Sequence, residues 1–350
     1  MLRVAGIDPG TLSLDACGLD NGQLFLDATW PTAEILADAR PLIDALLKGG
    51  PIDLVVGPSG YGLPVRPVRD VSDDDLRLAF LAPAGETGGI GGLRSLARRL
   101  DEAGVPLWFT PGVIHLDTVP RHRKLNRVDL GTADKVCAAV LAIADQCARR
   151  ARTPAEVSLV LLELGGAFTA GLAVDGGRIV DGIGGSGGSI GWRAAGALDA
   201  EVAFLAGETT KAMVFRGGVE TVTADDPSLA TVAHEAYVDG IARAARQLRH
   251  AAPAADEIVL SGRMASDPAV RDALEPALGG LGEVRPLTGF AVRARQAAQG
   301  AALVAEGLAG GRHRDLVDRL RIREATGTVL DHLHVITPAA ARRRLGLRDG

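Results

Sequence analysis

The chain has 350 residues, more than one typical domain and suited to two of about 100 to 200 residues each. Its 47% hydrophobic content holds no run near the roughly 18 uncharged apolar residues that cross a bilayer, so no membrane span is expected. A formal net charge of -5 argues against a general nucleic-acid binder, which needs a broad cationic surface to displace counterions. Cys17, Cys137 and Cys147 form neither a C-x-x-C pair nor a zinc pattern and read as buried free thiols. The chain opens directly as a strand with no secretory leader pattern, so a cytoplasmic location is expected.

The first thirty residues read as strand, turn, strand, turn, strand. Leu2 to Ile7 is apolar, Asp8-Pro9-Gly10-Thr11 turns, Leu14 to Leu19 follows, Asp20-Asn21-Gly22 is a hairpin signal, and Leu24 to Trp30 completes a meander. A helix is expected over Thr32 to Leu47, then a strand over Ile52 to Val56 that ends in a loop through Pro58 to Pro64. A second helix over Leu93 to Ala103 and a strand over Pro106 to Thr110 give an α/β lobe. Val128 to Arg150 carries apolar residues at helical spacing and reads as a helix joining two lobes.

The opening then recurs. Placing Glu163 on Asp8 sets Asp175 on Asp20 and Gly177 on Gly22 without a gap, which an internal duplication explains. The second copy continues with a helix from about Leu229 to His250, a strand Glu257 to Leu260 and the turn Ser261-Gly262-Arg263. A helix near Pro268 to Leu278, a strand near Glu283 to Pro286 and a helix over Val292 to Leu308 finish it. The expected organisation is a lobe over 1-128, a connecting helix plus second lobe over 129-310 with an insertion at 182-223, and a partly helical tail over 311-350. Ser186 to Ser189, in the glycine-rich start of the insertion at Gly184, reads as a flexible linker ahead of a phosphate cover.

An acid at the end of a first strand, followed by Gly10, Thr11 and Ser13, suits phosphate and magnesium. Glycine lets backbone N-H groups approach phosphate oxygens, hydroxyls add donors, and Asp8 can hold hydrated Mg²⁺. Taken alone, the tetrapeptide is better explained as an ordinary Asp-Pro-Gly-Thr hairpin, but Glu163-Leu164-Gly165-Gly166 repeats the acid and glycine turn. Arg121 to Asp129 is a cationic cluster in which Arg123 and Arg127 could neutralise a transferring phosphate or an acceptor carboxylate. Asp129 would serve as base or orienter and Asn126 as positioning donor. Its alternative is a solvated basic loop with Asp129 capping a helix and Asp134 and Lys135 as surface charges. Ser59 and Tyr61 lie on a candidate substrate-side loop, and His115, His234 and His250 are too dispersed for a metal site.

Asp8-x-Gly-Thr resembles the first phosphate loop of the acetate and sugar kinase, heat-shock chaperone and actin superfamily, and Glu163-x-Gly-Gly resembles the second. Ile258 to Gly262 is similar to its adenosine motif, and Ala297 to Ala302 to its second connecting helix. More narrowly, Gly57 to Pro64, Asn126 to Lys135 and Gly191 to Ala200 resemble an archaeal-type family of predicted butyrate kinases. The resemblance implies an α/β fold of duplicated ribonuclease-H-like, actin-like ATPase lobes with a cleft between them, using ATP and Mg²⁺. Asp8 and Glu163 would be the metal ligands, and Gly10, Thr11, Ser13, Gly165, Gly166, Gly262 and Arg263 would hold the nucleotide. The expected activity is phosphorylation of a small molecule, a short-chain carboxylate such as butyrate. A hydroxyl acceptor or an acceptor-free switch ATPase stay open, as does a homodimer, and neither nucleic acid nor membrane is an expected partner.

Overall fold

The computed structural model describes residues 2–57, 60–82 and 90–347. Strands β1 (Arg3–Pro9), β2 (Ser13–Asp20) and β3 (Gln23–Pro31) form an antiparallel meander. The turn between β2 and β3 needs left-handed backbone at both central residues, and Asn21 (φ 47°) and Gly22 (φ 77°) adopt it cheaply. β4 (Leu54–Gly57) joins β1 in parallel, β6 (Leu107–Pro111) joins β4 in parallel, and β5 (Gly62–Pro67) lies antiparallel on the β6 edge. The six-stranded order is β3-β2-β1-β4-β6-β5.

The second sheet repeats the plan. β7 (Leu159–Leu164), β8 (Thr169–Asp175) and β9 (Arg178–Ile183) form a meander, and β10 (Glu257–Ser261) and β11 (Glu283–Pro286) add in parallel, giving β11-β10-β7-β8-β9. One constant shift in numbering carries Asp8 opposite Asp15 onto Glu163 opposite Ala170. The same shift carries the bulge at Gly18/Leu19 onto the bulge at Ala173/Val174. Bulges sit at fixed places within a fold, so a shared register and a shared bulge make the two halves copies of one ribonuclease-H-like design.

The chain divides into two compact units: residues 1–128, 132–155 and 288–350, and residues 129–131 with 156–287. In the first, the helix Gln296–Leu308 lies on β1, β2 and β4 and against the helix Ala133–Arg150. Glycine permits both contacts. A Cβ on Gly6 of β1 would strike the backbone of Ala298 and Ala302, and one on Gly300 would strike the Cys137 carbonyl. Both helices and the tail thus fall within the first unit, whereas the sequence reading joined the helix after residue 129 to the second lobe and set the tail apart. Their partners lie more than a hundred residues away, where periodicity is silent. Ala230–Ala251 and Pro268–Leu278 cover the second sheet's core, built on Val160, Leu162, Tyr237, Ile241 and Leu274.

One expected helix is two. Thr32–Ala37 stops and Arg40–Leu47 restarts, because Pro41 in the second helix's first turn cannot donate backward and Asp38 binds Arg40 instead. Among the described residues no helix is long and apolar enough to cross a membrane.

Candidate functional site

In the first unit Asp8 stands near the end of β1, opposite Asp15 on β2, and directly opposed residues share a sheet face. The following turn closes by the Gly10 N-H donating to the Asp8 carbonyl (3.1 Å), and the Thr32 hydroxyl donates to the Gly10 carbonyl (2.7 Å). Thr11 is exposed, but the Ser13 hydroxyl donates to Asp15 Oδ2 (3.2 Å). Asp15 is 1% exposed. Burial pushes its carboxyl pKa up, against the opposing pull of Thr29, Arg295 and Ser13. The buried Cys137 thiol is pushed well above its usual range, first by burial and then by the charges of Asp134 and Asp8. Asp134 in turn is held by the Thr132 hydroxyl and by Lys135 Nζ (2.6 Å). Asp15 and Arg295 were missed in the sequence, and Asp134, read there with Lys135 as a surface charge, is partly buried. A polar residue within a buried apolar strand was the available signal for Asp15, and Asp134 lay inside a quoted motif.

In the second unit Glu163 on β7 lies beside Ser261 on β10, and the Gly165 N-H donates to the Phe168 carbonyl (2.9 Å). Gly262 has φ 88°, and a Cβ there would lie 2.6 Å from Glu163 Oε1 and 2.5 Å from the Leu164 carbonyl. A Cβ on Gly165 would lie 3.4 Å from Glu163 Oε2. Turns a hundred residues apart thus meet around one carboxylate. Gly166 differs from both, since a Cβ there would find only Arg263 Cδ, at 3.8 Å. Packing does not require glycine at that position. Arg263 is exposed. Tyr237 is fully buried, edge-on to Trp192, and burial with the charges of Glu163 and Asp267 raises its phenol pKa.

Asp129 belongs to the second unit. Its Oδ1 accepts from Gly131 N (3.0 Å), and its Oδ2 from Ser186 N (3.2 Å) and Ser186 Oγ (3.1 Å). A Cβ on Gly184 would collide with that carboxylate, so the glycine-rich stretch is packed around Asp129 and is not a loose linker. Arg123, Asn126 and Arg127 belong to the first unit, with Arg127 exposed and Arg123 half-buried. Lys124 between them is buried and donates to the Leu116 carbonyl (2.6 Å); burial lowers its pKa. Asn126 Oδ1 accepts from the backbone of His334 (2.7 Å) and Val335 (2.9 Å). Tyr61 is half-buried and its N-H donates to the Ala79 carbonyl (2.8 Å); Ser59 lies outside the described residues. Among the described residues no three or more His, Cys, Asp or Glu side chains cluster to hold a metal.

Residues 6–335 match the family described as "Protein of unknown function (DUF1464)". The chain belongs to that family. No curated protein matches it in sequence. Among solved structures, a propionate kinase from Francisella tularensis subsp. tularensis SCHU S4 superposes with TM-score 0.57 at 14% identity, covering 86% of this chain and 99% of that one. An acetate kinase from Porphyromonas gingivalis gives 0.56 at 13%, covering 86% and 98%. The acetate kinase from Entamoeba histolytica gives 0.54 at 12%, covering 78% and 85%. At such identities the likeness is one of fold, and this DUF1464 member shares the two-lobed α/β fold of those kinases.

Proposed function

We propose that the protein is an ATP-dependent small-molecule kinase that phosphorylates a short-chain carboxylate such as butyrate to an acyl phosphate. The observation that carries this reading is the meeting of Glu163, Gly165 and Gly262 around one carboxylate, with Gly166 left open beside Arg263. A carboxylate enclosed by glycine turns suits Mg²⁺, which takes one or two protein carboxylates and completes its shell with water and phosphate oxygens. Magnesium would supply charge neutralisation on the phosphates. Asp8 in the first unit and Glu163 in the second are the candidate ligands, the Gly10 to Ser13 and Gly165 to Gly166 turns would donate to phosphate, and Arg263 would add positive charge.

Asp129 supports a carboxylate acceptor over a hydroxyl. A hydroxyl must lose a proton to a base. Three donors from Gly131 and Ser186 already occupy the Asp129 carboxylate, which suits an orienting role. A carboxylate needs no base, only cations such as Arg123 and Arg127. The resemblance of Gly57 to Pro64, Asn126 to Lys135 and Gly191 to Ala200 to predicted butyrate kinases points the same way.

Purified protein with ATP, Mg²⁺ and butyrate in hydroxylamine tests the reading, because acyl phosphates become hydroxamates and phosphate monoesters do not. Hydroxamate formation is expected. ADP release that ignores every carboxylate but responds to a hydroxylated metabolite would overturn the acceptor, and release indifferent to all acceptors would leave a switch ATPase.

A further inference from the structure

The cationic segment has little helix of its own to hold its shape. Arg121–Lys124 is one helical turn of four residues, below the length at which a helix sustains itself, and Leu125 after it is half exposed. Asn126 then reverses the chain with φ 54°, a left-handed conformation Asn tolerates better than most residues. Beyond the local bond from Lys124 to the Leu116 carbonyl, the anchors of this segment come from the far end of the chain. Asn126 N donates to the His332 carbonyl (2.8 Å), while its Oδ1 takes the N-H groups of His334 and Val335. Upstream, Thr326 N donates to the His115 carbonyl (3.1 Å), and Arg321 grips Asp117 in a fork (Nε to Oδ1 2.9 Å, Nη2 to Oδ2 2.6 Å). Bidentate pairs of this kind set orientation as well as attraction. Anchors therefore stand on both sides of Arg121 to Lys124.

We infer that residues 321–335 are a working part of the acceptor side, and that Asn126 is a positioning residue that sets the placement of Arg123 and Arg127 by clamping the tail. The inference rests on the carboxylate-kinase reading for its kinetic consequence only. Asn126 acts through its neighbours, since its side-chain oxygen is already committed to two tail amides.

Two variants separate the clamp from the backbone turn. Asn126→Gly keeps the left-handed turn and deletes the acceptor oxygen; Asn126→Asp keeps both. In hydrogen exchange on the full chain, Asn126→Gly is expected to speed exchange at 332–335 and at 121–127 by on the order of tenfold, with Asn126→Asp near wild type. With ATP, Mg²⁺ and butyrate, Asn126→Gly should raise the KM for butyrate about tenfold and leave the KM for ATP within about twofold, because misplaced cations weaken the acceptor. Asn126→Asp should restore it. Faster exchange confined to 332–335, or an Asp variant as loose as the Gly variant, would overturn the inference. If the wild type makes no hydroxamate from butyrate, the acceptor assignment falls, and the exchange comparison alone still decides whether the tail positions 121–127.

Discussion

The two acid-and-glycine turns share a register yet differ in what surrounds the acid. Asp8 faces Asp15 across β1 and β2, and Asp134 joins it in acting on the Cys137 thiol, so acids gather at the first turn, with Arg295 acting on Asp15 and Lys135 on Asp134. Glu163 has Ala170 opposite, the Gly262 turn against its carboxylate, and Arg263 exposed beside Gly166. Duplication preserved the sheet, including its bulge, while chemistry diverged at the strand ends. Pairing register is enforced by every inward residue of a strand, whereas a turn acid is constrained only by what it binds. The first turn thus sets an acid opposite a second carboxyl group, and the second encloses its acid between glycine turns.

The comparison predicts unequal losses. Asp8→Asn should cut magnesium-dependent ADP release on the order of a thousandfold, and Glu163→Gln about a hundredfold, with near-native circular dichroism in both. Equal losses would show that the different neighbours are chemically irrelevant, and full activity in either variant would make its turn structural. A second difference is mechanical, because the first turn relies on helices from remote parts of the chain. Gly300→Ala drives a methyl into the Cys137 carbonyl and should destabilise the first unit by about 3 kcal/mol, leaving amide protection in β7, β8 and β10 intact. Equal loosening of both sheets in urea would break that distinction.

Acid should also separate the units. Burial, with the charges of Lys124 and Arg66, holds the His115 imidazole down to about 4 despite the Gly112 carbonyl and Asp331. The unfolded chain binds that proton near pH 6.5, so the stability is complete above about 6.5 and lost as pH falls toward 4. The total is roughly 3 kcal/mol by linkage. His115→Gln should flatten this slope in the first unit's denaturation, and an unchanged slope would assign it elsewhere. The smallest effect concerns the exposed Arg127: Arg127→Ala should raise the KM for butyrate several-fold, about 1 kcal/mol, without moving the melting temperature.

The meanders were legible because their signals are local. Asp20-Asn21-Gly22 and Asp175-Gly176-Gly177 demand tight turns, and apolar runs lie on either side. Local signals also brought Glu163 and Gly262 into view, each as an acid or a glycine closing a strand. The company of Asp129 and Asn126 was not legible. Ser186 lies 57 residues from Asp129, and His334 lies 208 from Asn126, and contacts of that span leave no spacing to read. The same limit hid the allegiance of the helices 133–150 and 296–308, whose apolar faces are plain but whose partners are not.

The first unit is closed by a stretch that begins only after the second is complete, since residues 288–350 return to it. On a ribosome this inverts the order of assembly. The second unit, bounded by Glu156 and Leu287 apart from three residues, can mature while the first still lacks the helix Gln296–Leu308 that covers β1, β2 and β4. Until that helix emerges, the N-terminal sheet exposes apolar surface to neighbouring nascent chains, the condition under which chaperones are recruited. Stalled synthesis just past Leu287 should therefore yield a protease-resistant second unit tethered to a sticky, digestible N-terminal half.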